Sequence, residues 1–150
     1  MNYSAYQPRP DLLKDRIILI TGAGDGIGRA AAISYALHGA TVVLHGRTLN
    51  KLEVIYDEIE SLGAPQPAIL PLQLSSASSH DYELLVSTLE QQFGRVDGIL
   101  HNAGMLGDRV ELADYPVDVW DDVMAVNLRA SFALTQALLP LLQKSEHASV

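Results

Sequence analysis

No cysteine occurs among the 150 residues. That excludes disulfides, zinc–thiolate sites and cysteine nucleophiles together, and it suits a reducing compartment. Basic residues are scarce: 10 Lys and Arg against 18 Asp and Glu leave a net charge of -8. A binder of the phosphate backbone needs a basic face, so no nucleic-acid partner is expected; a local basic site for a single phosphate is still allowed. No run approaches the ~18 consecutive apolar residues of a spanning helix. The richest, Ala133 to Leu142, is broken by Thr135, Gln136 and Pro140, so no membrane partner is expected. The first residues carry Pro8, Pro10, Asp11 and Asp15 and lack an apolar targeting core or a small-residue cleavage site, which points to the cytoplasm. His38, His45, His80, His101 and His147 are scattered, with no i, i+4 pair, and no metal site is expected.

Apolar residues are plentiful, at 48% against 19% charged, enough for one packed domain. After a leader over 1–15, short β-branched runs alternate with helical periods across 16–150. Arg16 to Thr21, Ala40 to His45, Ala68 to Leu74 and Val96 to His101 read as strands. Pro71 is the weak point of the third, because proline cannot donate to a ladder. Helices are expected from Ile27 to His38, from Leu49 to Leu62, from Tyr82 to Phe93 and, as one long element, from Pro116 to about Leu142, with Pro140 bending or fraying its end. Ala148 to Val150 begins a fifth strand. Strand–helix alternation with continuous apolar strands predicts an α/β fold, a doubly wound parallel sheet of the Rossmann type, incomplete after four strands and the start of a fifth.

Thr21 to Gly28 (TGAGDGIG) lies between the first strand and the first helix. Gly22 permits a tight turn, Gly26 and Gly28 permit close approach of backbone and helix, and the helix start beside Ile27 offers free N–H groups to a pyrophosphate. The loop is neither a Walker A sequence nor G-x-G-x-x-G. Asn102-Ala103-Gly104 ends the fourth strand, and Asn127 sits within the long helical stretch. Taken together and in order, these resemble the glycine motif, the Asn-Asn-Ala-Gly motif (with His101 in the first Asn place) and the helical Asn of the short-chain dehydrogenase/reductase family. The resemblance runs from about Asp11 to Val150, and HNAGMLGD, WDDVM and LTQALLPLLQKS are similar to a bacterial oxidoreductase branch of it.

That resemblance implies hydride transfer between a nicotinamide cofactor and a small carbonyl or alcohol substrate, with Asn127 holding a water in the proton relay. The family's catalytic Ser and Tyr-x-x-x-Lys pair find no counterpart here: none of the six tyrosines is followed four places on by lysine. The alternative is therefore a non-catalytic dinucleotide-binding fragment. After the second strand, Gly46 stands where NAD-preferring members carry Asp, and Arg47 and Thr48 follow it. This favours NADP(H) over NAD(H), although Asp25 occupies a region where NADP-preferring members often place a cation. Gln73, with Leu74 beside it, stands where the family carries an adenine-contacting Asp. Since the family's long helix packs on its copy, a homodimer or homotetramer is implied for the full-length form. Trp120 reads as a packing residue, and adjacent Asp121 and Asp122 make a poor acid/base couple.

Overall fold

A computed structural model describes residues 7–150. Strands β1 (Ile17–Thr21), β2 (Thr41–Gly46), β3 (Ala68–Pro71) and β4 (Gly98–Leu100) are joined by helices α1 (Gly26–Leu37), α2 (Leu49–Ser61) and α3 (Ser79–Phe93). The four strands form one parallel sheet in the order β3-β2-β1-β4. Alternation along the strands divides the core in two. Ile18, Ile20, Val42 and Leu44 join Ala32 and Ala36 of α1 and Leu52, Ile55 and Ile59 of α2 on one face. Leu19 and Val43 join Leu85 and Leu89 of α3 and Leu134, Leu138 and Leu141 on the other. The doubly wound Rossmann-type fold expected from the alternation of elements is the fold observed.

Several boundaries shift. The third strand stops at Pro71, three residues early. Leu72 N–H donates to the Gly46 carbonyl, so the position before it faces the open edge, where a missing N–H costs no ladder bond. The fourth strand is shorter at both ends than expected, and the fifth is a single parallel bridge, Gly98 to Ser149. The long helix is not one element. α4 (Val117–Met124) and α5 (Ala130–Leu142) flank a wide π turn over Ala125–Arg129, in which Ala130 N–H reaches the Ala125 carbonyl. Pro140 neither stops nor frays α5, which runs on to Leu142. By length and composition Val117–Leu142 would pass as a membrane span, but its α5 half places Ala130, Leu134, Leu138 and Leu141 in the core. Trp120 is more than half exposed, at 55%, and meets Tyr115 edge-on; it contributes little to the interior.

The leader is tied down where it is described. Leu13 N–H donates to the His38 carbonyl, and its side chain packs on the α1/α2 core. At the same end of the sheet, Asp97 is 6% exposed. Its carboxylate accepts from Ile17 N–H, Ser145 Oγ and Arg95 Nε. Burial raises its pKa, but the bonds from Ser145, Ile17 and Arg95 outweigh that and hold it below the usual aspartate value. This buried hub lies at the start of β1, away from the strand ends where ligands enter such sheets.

Candidate functional site

A cleft of about 410 Å3 opens at the carboxyl ends of the strands, lined by Gly22, Gly24, Asp25, Arg47, Thr48, Gln73, Leu74, Ala103 and Gly104 among others. It lies where the order β3-β2-β1-β4 reverses direction, between β1 and β4. Helix crossovers on opposite faces leave a crevice at such a point.

One wall is the glycine loop, locked to the turn after β4. Thr21 Oγ1 accepts from Asn102 N–H and Ala103 N–H, 3.0 Å each, and donates to the Leu100 carbonyl at 3.3 Å. The Asn102 amide donates back to the Thr21 and Gly22 carbonyls at 3.1 and 3.2 Å. This lattice needs glycine at two places. Gly22 has φ +67°, and a Cβ there would lie 2.9 Å from Ala103 Cα; at Gly28 a Cβ would run into the Gly22 carbonyl. At Gly26 a Cβ would meet nothing within 4 Å, so the approach to the α1 N-terminus is open. Asp25 caps that helix, accepting from Gly26 N–H at 2.8 Å.

The expected site residues therefore separate by role. Gly22, Arg47, Thr48, Gln73, Leu74, Ala103 and Gly104 line the cleft. Thr21 is 2% exposed and its hydroxyl is fully engaged, so it is a latch beneath the cleft and not a wall of it. Buried Gly28 and half-buried Asn102 belong to the same seam. Gly26 and Ile27 open the first turn of α1, with Ile27 79% exposed. Asn127 sits in the π turn. Its Oδ1 accepts from Met105 N–H and its Nδ2 donates to the Met105 carbonyl, both at 2.9 Å. That side chain holds the loop after β4.

Sequence reasoning missed Lys51, Leu72, Met105 and His45, all of which line the cleft. Lys51 Nζ pairs with Asp25 Oδ2 at 2.8 Å, which with the Gly26 bond lowers the Asp25 pKa. Its place in the first turn of α2, beside Arg47, was the signal available. His45 is 1% exposed, and neither ring nitrogen has a hydrogen-bond partner among the described residues. Arg47 is exposed and makes no ion pair among the described residues. A helix N-terminus beside the cleft and an unpaired guanidinium lining it suit a ligand with two separated phosphates.

Known proteins share this arrangement. The family description "short chain dehydrogenase" matches residues 16–150. The oxidoreductase YciK of Escherichia coli is 49% identical over 145 residues, 97% of this chain and 58% of its own length. A short chain dehydrogenase structure from Pseudomonas syringae superposes with a TM-score of 0.92 at 51% identity, covering 95% of this chain and 58% of that one. Another, from Escherichia coli CFT073 and complexed with NADPH, gives 0.90 at 49% identity, covering 94% and 59%. The chain thus spans less than two thirds of the relatives it matches.

Proposed function

The chain belongs to the short-chain dehydrogenase family of oxidoreductases, and from that premise we propose that its cleft binds NADP(H) in preference to NAD(H), as the cofactor-binding part of an enzyme acting on a small carbonyl or alcohol. The observation that carries this reading is Arg47, exposed on the cleft directly after Gly46. No carboxylate follows β2 to claim the ribose hydroxyls and repel a 2′-phosphate. Arg47 presents a planar fork of donors to such a phosphate, and Thr48, whose hydroxyl makes no cap bond, adds another.

When bound, the nicotinamide supplies hydride chemistry at its ring carbon. The residues of this chain bind and orient. The pyrophosphate would lie over Gly26 at the α1 N-terminus, while Leu74 and Ala103 offer apolar surface, and Gln73 a hydrogen-bonding amide, to the adenine. Asn127 acts as a positioning residue through Met105. In the free protein Asp25 is paired with Lys51. The relative crystallised with NADPH supports the choice of cofactor. Titration of the protein with NADPH and NADH, repeated for Arg47→Ala, tests it. Loss of a charge-assisted contact should cost NADPH about 1.5–3 kcal/mol and leave NADH nearly unchanged; equal losses for both would refute the assignment.

A further inference from the structure

We propose that Lys51 is a second determinant of 2′-phosphate selectivity, a cation parked on Asp25 that the phosphate draws away. This rests on the NADP(H) reading above and adds a residue and an exchange that Arg47 alone does not require.

The start of α2 is electropositive. Its N-cap, Thr48, makes no side-chain cap bond, and its first turn holds no acidic residue. The free N–H groups and dipole of a helix start favour an anion, yet this turn carries the cation Lys51, with Arg47 just before it. A lysine is disfavoured there unless a negative charge is near. Asp25, reached across from the glycine loop, supplies that charge in the free protein. The stem of Lys51 lies along the loop: a Cβ on Gly24 would sit 3.3 Å from Lys51 Cβ and 3.8 Å from its Cδ. The ammonium is thereby held at the cleft rim, with Asp25, Arg47 and Thr48 on the same cleft.

The pair is easily opened. Both side chains are well exposed, at 56% and 79%, and exposed ion pairs contribute little because water and salt screen them. A phosphate carrying up to two charges at the α2 start outbids one solvated carboxylate. Asp25 keeps its bond to Gly26 N–H when Lys51 leaves, so the glycine loop retains its cap. Asp25 therefore acts as a competitor that lowers affinity for the 2′-phosphate.

Binding of NADPH and NADH to the full chain, measured by calorimetry for wild type, Lys51→Gln, Asp25→Asn and the double variant, tests this. Asparagine preserves the helix cap while removing the charge. Lys51→Gln should weaken NADPH about tenfold and NADH less than twofold. Asp25→Asn should tighten NADPH about two- to fivefold, and that gain should vanish in the double variant. Equal weakening of both cofactors by Lys51→Gln, or an Asp25→Asn gain that persists without Lys51, would overturn the exchange. Wild-type protein that does not distinguish 2′,5′-ADP from 5′-ADP would instead overturn the underlying NADP(H) reading. Discrimination that is lost in Arg47→Ala but untouched in Lys51→Gln would leave that reading standing and remove Lys51 alone.

Discussion

Replacing His45 with leucine should stabilise the protein at neutral pH and remove that ring's own contribution to the pH dependence between about 6.5 and 4. The histidine sits on β2 between Thr21 of β1 and Leu70 of β3 in the ladder register. Burial pushes its pKa from 6.5 down to about 4. Above pH 6.5 the ring is neutral whether the chain is folded or not, and it contributes no pH dependence. As pH falls through that value the unfolded chain gains a proton that the folded one refuses, so stability declines until the folded ring titrates as well. The displacement from 6.5 to about 4 corresponds to about 3 kcal/mol, at about 1.4 kcal/mol per pH unit. The two unpartnered ring nitrogens also cost about 1–3 kcal/mol at any pH, and leucine removes that penalty. Urea unfolding of wild type and His45→Leu, followed by circular dichroism from pH 7.5 to 4, measures both terms. His101, which burial also pushes down, is present in both proteins and cancels in the difference. Parallel stability curves across this range would refute the reasoning, since they would show His45 titrating normally or finding a partner when protonated.

Thr21→Val should destabilise by about 1–3 kcal/mol in the same assay, because two part-buried N–H groups lose their acceptor, whereas Thr21→Ser should cost far less. Gly28→Ala should be worse than a typical glycine replacement in a first helical turn, since its Cβ must displace the Gly22 carbonyl; a thermal midpoint within a degree of wild type would contradict that packing. Asp97→Ala should cost about 3 kcal/mol at pH 7 by stranding its donors. The part of Asp97's contribution that comes from its lowered pKa is present above the usual aspartate value and is lost as pH falls through the lower folded one. Of the apolar side chains of the α5 stretch, Leu134, Leu138, Leu141 and Leu142 are buried, while Phe132 and Leu139 stay exposed at 65% and 45%. Phe132→Ser should therefore reduce self-association on size-exclusion chromatography with little loss of stability, and an unchanged elution profile would argue against an apolar contact there.

The strand–helix order, the glycine turn and the two-sided core were legible in the sequence because each depends on near neighbours. β-branched runs extend, glycine turns where other residues strain, and a 3.6-residue period marks a buried helix face. Gly22, Gly28 and Arg47 declared themselves for the same reason: their spacing from a strand end is local. What only the tertiary structure decided is which partner each polar group takes. Thr21 looked like a cleft residue, but Asn102 N–H, 81 positions away, claims its hydroxyl once β4 lies beside β1. The bonds from Asn127 to Met105 could not be read from the sequence either, because the π turn that aims its amide there lies within what the helical period showed as an unbroken element. Asp25 stood where a cation was expected, and only the folded chain brings Lys51 onto it, 26 positions on. Hydrogen bonds and ion pairs are settled by distance in space, and the chain acquires those distances only when the sheet is assembled.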